Sequence, residues 1–438
     1  MSRRLFRRLK SPIRVFVEVT GNCNLGCMHC YNYWRDFGVQ QYCSASNQMT
    51  EQLAEKVAQE LIDAKVFSVC LTGGEPLLNY GVIKLLLQRW HGTSIRVSMN
   101  SNATLLTRSV LDELTGLGLA SMYFSIHGAS SDVHDSVTGV TGSFDKTVAG
   151  IELCLQNGVS FSTNTVVSKL NKNELLKTAK MLRDMGCTFI NMDVAECPVN
   201  CADFSAYSLT RKEYIDVLNQ MSYINNELGI NVIKATPVPY CIFPELDSFK
   251  FCLSTSCSAG ILGCTIASDG EVRACPFVTD SVGSIQSLKL ADIWQEFSAW
   301  QTDEFILDEC HECWLLERCG GSCKLGCCNK KSATKLLINP PNASRAGKMM
   351  QQLQEETMAQ LKTEGQRIII NDFAIRSEEF GAIAWNGYRA YLINKLGADM
   401  LGNLQPNMIC SVAEIVEPGY EKFFSELIMT GFVSILNP

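Results

Sequence analysis

Strand-like and helix-like patterns alternate along the first 200 residues of the chain. The short apolar runs typical of strands lie at 14–19, 67–71, 95–99, 122–126, 160–167 and 189–194. The segments in which apolar residues recur every three or four positions lie at 50–64, 82–90, 108–117, 144–156 and 174–185. Repeated strand–helix units predict an α/β fold with a parallel sheet, here a partial (β/α)6 TIM-like barrel. Such sheets bind ligands at the carboxyl ends of their strands.

Beyond residue 200 the hydrophobic pattern changes several times. Pro237 and Pro239 interrupt a stretch that begins as a helix, and this part is predicted to bridge two domains. Asp269 and Gly270 separate two apolar runs in a cysteine-rich region and predict a β-hairpin. The predicted regions are a barrel at 12–200, a bridge at 201–255, a cysteine-rich domain at 256–335, a helical linker at 336–366 and a small winged-helix-like domain at 367–438.

Composition narrows the classes of function. The chain has 438 residues, of which 46% are hydrophobic, enough for more than one core. Its net charge of −7 argues against general nucleic-acid binding. No apolar run approaches the ~20 residues of a membrane helix, and the arginine-rich start lacks the apolar stretch of a secretory signal. With 21 cysteines and no export signal, we expect a cytoplasmic protein whose cysteines serve metal binding or catalysis.

Three cysteines stand within eight residues directly after the first predicted strand. Cys23, Cys27 and Cys30 have the spacing C-x3-C-x2-C. A [4Fe–4S] cluster has four irons, so three thiolates leave one iron open. An open coordination position distinguishes a reactive metal site from a structural one. The alternative is a zinc site made of the same three thiols and His29.

This stretch resembles the signature of the radical S-adenosylmethionine (SAM) enzymes. The resemblance implies that the open iron binds SAM, and that reduction of the cluster cleaves SAM to a 5′-deoxyadenosyl radical, which takes a hydrogen atom from the substrate. Polar residues at the ends of later strands match further family motifs in order along the chain. Among them, paired glycines would leave the backbone open to a polar ligand. The residues that would cradle SAM by this resemblance are Gly73, Gly74, Glu75, Asn102, Ser125 and Asn164.

The cysteine-rich region has a second specific spacing. From Cys257 the chain reads C-x6-C-x5-G-x4-C, and from Cys310 it reads C-x2-C-x5-C-x3-C. This resembles the SPASM extension, which holds two auxiliary [4Fe–4S] clusters in peptide-modifying radical SAM enzymes. The resemblance assigns auxiliary cluster I to Cys257, Cys264, Cys275 and Cys323. It assigns auxiliary cluster II to Cys310, Cys313, Cys319 and either Cys327 or Cys328.

The bridge and its borders contribute four more cysteines, which have no recognisable metal spacing. These are Cys197, Cys201, Cys241 and Cys252. We interpret them as small buried hydrophobic residues, with a substrate-facing thiol at the barrel mouth as the alternative for one of them. For the SPASM-like spacing itself, the alternative is one or two structural zinc sites.

Residues 367–438 resemble a PqqD-like recognition element, a module of enzymes that modify ribosomally made peptides (RiPPs). Such modules bind a leader peptide by adding it as a strand to their own sheet. The alternative is a nucleic-acid-binding winged helix, which acidic residues such as Glu378 and Glu414 disfavour.

The resemblances together imply a radical SAM/SPASM oxidoreductase that matures a precursor peptide through a thioether or carbon–carbon crosslink. The implied cofactors are SAM, one SAM-binding [4Fe–4S] cluster and two auxiliary clusters. The implied partners are the precursor peptide and a flavodoxin- or ferredoxin-type electron donor. The alternatives are an enzyme like the anaerobic sulfatase maturases, a radical SAM dehydrogenase of small molecules, and a zinc-stapled peptide-binding protein without catalysis.

Overall fold

A parallel sheet dominates the first of two units in the computed structural model. The structure describes residues 6–35, 48–198, 203–243, 247–252, 256–313, 315–325, 343–363, 365–386, 390–416 and 419–436. The first unit takes in the described residues up to 325 apart from residue 243, and the second takes in residue 243 and the described residues from 343 on. Among the described residues, no helix has the length and hydrophobicity that a membrane span requires.

The sheet of the first unit has ten strands. They are β1 (Arg14–Thr20), β2 (Ser68–Gly73), β3 (Arg96–Ser101), β4 (Leu119–Ser125), β5 (Phe161–Val167), β6 (Phe189–Val194), β7 (Asn231–Ile233), β8 (Gly263–Ile266), β9 (Glu271–Arg273) and β10 (Ser281–Ser284). Their order across the sheet is β10-β9-β8-β1-β2-β3-β4-β5-β6-β7. From β1 to β7 each strand pairs in parallel with the next. The predicted α/β partial barrel is therefore confirmed, with a short seventh strand that the sequence pattern did not reveal.

Helices follow the strands as the apolar periodicity predicts. They are α1 (Tyr31–Arg35), α2 (Glu51–Asp63), α3 (Tyr80–Trp90), α4 (Arg108–Gly116), α5 (Ser131–Thr138), α6 (Ser143–Gln156), α7 (Leu175–Asp184), α8 (Arg211–Asn226), α9 (Leu290–Gln295) and α10 (Leu316–Cys319). Helix α2 illustrates the cause: the Thr50 side chain caps it by accepting a hydrogen bond from the Leu53 N–H. Leu53, Val57 and Leu61 then form its buried stripe.

The cysteine-rich region continues the barrel sheet. The hairpin predicted at Asp269 and Gly270 is present, with β8 and β9 antiparallel and Gly270 in the left-handed region at φ +90°. Strand β8 also pairs in parallel with β1, so the hairpin is joined to the edge of the barrel. Pairing between strands about 250 residues apart has no local sequence signal, and this connection was not predicted.

The second unit contains two small antiparallel sheets. Its strands are β11 (Arg367–Ile370), β12 (Ala374–Glu378), β13 (Gly381–Trp385), β14 (Ala390–Asn394), β15 (Ile409–Ser411) and β16 (Val433–Leu436), and its helices are α11 (Ala343–Leu361), α12 (Lys395–Gly402), α13 (Val412–Ile415) and α14 (Glu421–Met429). The sheet orders are β15-β11-β16 and β12-β13-β14. Helix α11, predicted as a linker, packs against α14, and its Leu361 lies in the apolar core of this unit.

Candidate active site

The loop that carries Cys23, Cys27 and Cys30 leaves β1 at its carboxyl end. Two backbone hydrogen bonds attach it to the end of α5: Gly26 N–H donates to the Thr138 carbonyl at 2.8 Å, and Met28 N–H donates to the Val137 carbonyl at 2.9 Å. The three thiols are half-buried. The loop is therefore held in place by its neighbours, as a cluster-binding loop must be.

The three thiols influence one another. Burial above all, together with the charges of Glu75 and Cys30, raises the pKa of Cys23 to about 12. The pKa of Cys27 is also raised, first by burial and then by the charges of Cys30 and Cys23. A positively charged iron centre reverses this preference, because metal ligation favours the thiolate. The donor set thus fits a [4Fe–4S] cluster that lacks a fourth protein ligand.

Gly73 and Gly74 are required by close chain packing. A Cβ atom on Gly73 would lie 2.0 Å from the Thr20 carbonyl oxygen, and one on Gly74 would lie 2.0 Å from that of Asn22. The Gly74 N–H donates to Thr20 O at 2.8 Å. The expectation that the glycines leave their backbone open to a ligand is thus incomplete, because they first let β2 pack against the chain that enters the cysteine loop.

Glu75 ties two strand ends together. Its carboxylate is fully buried and accepts hydrogen bonds from Leu77 N–H at 3.1 Å, Ser101 Oγ at 2.9 Å and Asn102 N–H at 2.8 Å. Burial raises the pKa of Glu75 to about 7, although these hydrogen bonds oppose the shift. With both oxygens engaged, Glu75 is a positioning residue for the ends of β2 and β3.

Asn102 touches the cysteine loop directly. Its Nδ2 donates to Asn24 Oδ1 at 2.8 Å and lies 3.9 Å from the Cys23 sulfur. Further round the sheet, Ser125 and Asn164 are register partners at the ends of β4 and β5. The structure therefore brings the predicted strand-end residues to the same edge of the sheet as the cysteine loop.

A polar group that the sequence reasoning missed continues from Asn164. Asn191 Nδ2 donates to Asn164 Oδ1 at 2.7 Å and to Asp193 Oδ2 at 3.0 Å. Asp193 in turn pairs with Lys234, whose fully buried Nζ lies 3.1 Å from Asp193 Oδ1. Burial alone would lower the pKa of Lys234, but its interactions with Tyr214 and Asp193 raise that pKa by more. The net pKa is raised, so Lys234 stays charged.

Three histidine rings connect the cysteine loop to the end of β4 and to α5. The ring of His29, in the loop, lies 4.7 Å from that of His127, which lies 5.7 Å from that of His134. Burial lowers the pKa of His29 to about 4 and that of His134 also to about 4, and it lowers the pKa of His127 well below its usual value. These rings are therefore neutral at pH 7. Their spacing in the sequence did not indicate this proximity.

Three of the four cysteines assigned to auxiliary cluster I lie together. The charges that act most strongly on the buried Cys323 thiol come from Cys257, Glu196 and Cys275, in that order. Cys264 is not among them, and burial alone accounts for its raised pKa.

The structure gives the position of Cys264 in the sheet. Its neighbour Thr265 is the register partner of Arg273, whose side chain is ion-paired with Glu18. Successive strand residues point to opposite faces, so Cys264 points away from the face that carries this pair. It is buried beside Val15 of β1. The assignment of Cys264 to cluster I stays a prediction.

The cysteines assigned to auxiliary cluster II also lie together, with an unexpected companion. The Cys310 thiol is influenced by the charges of Cys319, Cys241 and Cys313, in that order. Cys241 was interpreted as a small buried hydrophobic residue. The two predicted alternatives for the last ligand, Cys327 and Cys328, lie outside the described residues.

Within the described ranges, no three Cys, His, Asp or Glu side chains converge closely enough to hold one metal ion. In a [4Fe–4S] cubane each thiolate binds a different iron, so the cluster does not require such convergence on one point.

Comparison with known families agrees with this geometry. A model described as the Radical SAM superfamily matches residues 17–182, and one described as the SPASM iron-sulfur cluster-binding domain matches residues 257–314. Two parts of the chain thus match a radical SAM domain and a SPASM domain in that order. These domains imply [4Fe–4S] clusters and bound SAM.

Proteins similar to this chain have different named activities. An AdoMet-dependent heme synthase of Methanosarcina barkeri is 26% identical over 71% of this chain and 91% of its own length. A PqqA peptide cyclase of Ruegeria pomeroyi is 22% identical over 72% of this chain and 83% of its own length. SuiB of Streptococcus suis, solved with its precursor peptide SuiA, superposes with a TM-score of 0.60 at 17% identity, over 75% of this chain and 76% of its own.

Proposed function

We propose that this radical SAM/SPASM protein matures a ribosomally made precursor peptide by forming a thioether or carbon–carbon crosslink. The observation that carries the proposal is the second unit, whose β12-β13-β14 sheet has outer strands β12 and β14 that pair with no further strand of the described chain. An unpaired strand edge is a binding surface for an extended peptide. The matches to the PqqA peptide cyclase and to peptide-bound SuiB support the same substrate class.

The barrel residues then have distinct tasks. When bound, the reduced cluster and SAM would supply a 5′-deoxyadenosyl radical that takes one hydrogen atom from the peptide, and closing the crosslink would release a proton and pass the surplus electron to an auxiliary cluster. Cys23, Cys27 and Cys30 hold the cluster, and Glu75 fixes the strand ends beside them. The side chains of Ser125 and Asn164, which are half-buried at neighbouring strand ends, bind the polar parts of SAM.

The second unit captures the leader segment of the peptide. Two of its outer strands present apolar side chains to solvent: Ile375 of β12 is 42% exposed, and Ile409 of β15 is 48% exposed. A leader strand added at such an edge gains backbone hydrogen bonds and covers the apolar side chain. Because the unit is covalently joined to the barrel, capture raises the effective concentration of the core peptide there.

A second candidate function is chemistry on a tetrapyrrole. It is favoured by the matches to AdoMet-dependent heme synthases, which cover 91% of the length of one such relative. A further relative is named Fe-coproporphyrin III synthase. The match to the heme synthase covers 71% of this chain, and the peptide proposal gives a role to the second unit.

A substrate test under anaerobic conditions separates the two candidates. The reconstituted protein is given SAM, dithionite and either a Cys- or aromatic-rich peptide encoded beside its gene or Fe-coproporphyrin III. We expect the peptide to lose the mass of two hydrogens and the porphyrin to remain unchanged. Modification of the porphyrin alone would overturn the peptide proposal. The variants Ile375→Lys and Ile409→Lys then identify the docking edge, since one of them should weaken binding of the leader at least 10-fold.

A further inference from the structure

Cys241 lies beside cysteines that are far from it in the chain. It occupies a single 3-10 turn, Tyr240–Ile242, in the bridge, 69 positions before Cys310. Among the charges that act on Cys310, that of Cys241 ranks between those of Cys319 and Cys313, and Cys241 also acts on Cys319. Cys241 therefore lies near Cys310 and Cys319, although it is far from both in the sequence.

Two contacts attach the turn to the segment that follows Cys319. The Tyr240 N–H donates a hydrogen bond to the Cys319 sulfur. The Ser322 hydroxyl donates to the Pro237 carbonyl at 3.0 Å, and this bond is buried. Since Tyr240 and Ile242 are themselves buried, the half-buried Cys241 between them has a fixed position.

Cys310, Cys313 and Cys319 form a compact scaffold for the same group. The Cys313 N–H donates to the Cys310 carbonyl at 3.0 Å, which closes a tight turn, and Cys319 ends the short helix α10. Cys310 and Cys319 are almost fully buried, while Cys241 and Cys313 are half-buried. The four sulfurs thus come from three separate pieces of backbone, which allows them to surround a cluster.

We propose that Cys241 is the fourth ligand of auxiliary cluster II, together with Cys310, Cys313 and Cys319. This rests on the proposed radical SAM/SPASM function but concerns the ligand set and not the substrate. Binding converts the Cys241 thiol to a thiolate and releases its proton to solvent. With four thiolates the cluster has no open iron, so its role is electron transfer and not the binding of substrate.

The test measures bound iron and the electron paramagnetic resonance (EPR) spectrum of protein reduced with dithionite. Full-length protein in which Cys23, Cys27 and Cys30 are replaced by Ala serves as the parent, because only auxiliary clusters then contribute. Four variants are made in this parent: Cys241→Ala, Cys241→Ser, the double change Cys327→Ala with Cys328→Ala, and a control. The control is Cys154→Ala, which removes a fully buried thiol of α6.

We expect Cys241→Ala to lose up to about four irons per chain, or to change the EPR signal of one cluster. Cys241→Ser should retain iron and shift that signal, because a serine oxygen can replace the thiolate. The double variant and Cys154→Ala should match the parent. Unchanged iron and EPR in Cys241→Ala, with loss in the double variant, would overturn the proposal.

The EPR signal of auxiliary cluster I makes the test independent of folding and of the substrate. Auxiliary cluster I, which uses other cysteines, should persist in Cys241→Ala and reports that the domain is intact. Neither SAM nor peptide is added, so a failure to modify peptide leaves this result unaffected. Conversely, a cluster II without Cys241 leaves the peptide proposal standing.

Discussion

The loop with Cys23, Cys27 and Cys30 and the later cysteine groups differ in how their thiols come together. The loop takes three thiols from eight consecutive residues, and the turn of the chain alone brings them together. The later groups take thiols from segments around residues 241, 257, 275 and 310–323, which only the tertiary structure joins. A spacing motif therefore predicts the first group directly. For the later groups it gives candidate residues whose positions depend on the tertiary structure.

The largest effect should come from removing the loop thiols. When Cys23, Cys27 and Cys30 are all replaced by Ala, SAM cleavage should fall to the rate without enzyme, because the cluster that would bind SAM loses its three protein ligands. About one third of the bound iron should be lost and the auxiliary iron retained. Iron analysis and chromatography of 5′-deoxyadenosine measure this. Persistent cleavage would show that SAM is cleaved at a site other than the loop with these three cysteines.

A second prediction concerns how firmly the bridge packs against the barrel. Lys234→Met leaves the carboxylate of Asp193 without its buried partner, and should lower the free energy of unfolding by about 3–5 kcal/mol. The matched control is Lys177→Met, which breaks an exposed pair with Glu174 and should cost less than about 1 kcal/mol. Equal effects in urea unfolding would mean that the bridge is loosely attached.

A third prediction concerns the strand ends that hold the loop. Glu75→Gln places an amide group where the carboxylate accepts the Asn102 N–H, and should cost about 1–3 kcal/mol of stability. SAM should bind at least several-fold more weakly, because Asn102 contacts the loop. The exposed Glu152→Gln is the control. Calorimetric titration of SAM checks this, and unchanged binding would show that Glu75 does not position the site.

The smallest effect is predicted for Cys264. Cys264→Ala should leave iron content and the EPR spectrum unchanged, and should cost only about 1 kcal/mol through the space it leaves in the core. Cys257→Ala should instead lose or alter one auxiliary cluster. If Cys264→Ala removed as much iron as Cys257→Ala, the placement of Cys264 on the apolar face of the sheet would be wrong.

Most of the barrel was predictable because its signals are local. Apolar periodicity identified the strands from β1 to β6 and the helices between them, and the cysteine loop was placed at the correct end of β1. The explanation for Gly73 and Gly74 was incomplete, because the close approach of β2 to Thr20 and Asn22 depends on tertiary packing. Sequence alone shows that a glycine is present, and the structure shows which atoms a side chain would meet.

Contacts between distant segments could not be predicted. Cys264 and Cys275 flank one hairpin, and the register pairs Thr265 with Arg273, so Cys264 stands opposite residue 274 and not 275. A shift by one residue exchanges the faces, and the sequence does not specify that shift. The proximity of Cys241 to Cys310 has no local signal for a related reason, since the two are 69 positions apart in the sequence.

Formation of 5′-deoxyadenosine by the wild-type protein tests the central claim most directly. The protein is reconstituted with iron and sulfide under anaerobic conditions, reduced with dithionite and given SAM. If three thiols at the end of β1 hold a cluster with an open iron, 5′-deoxyadenosine accumulates together with methionine. A brown, fully loaded protein that leaves SAM intact under these conditions would contradict the account.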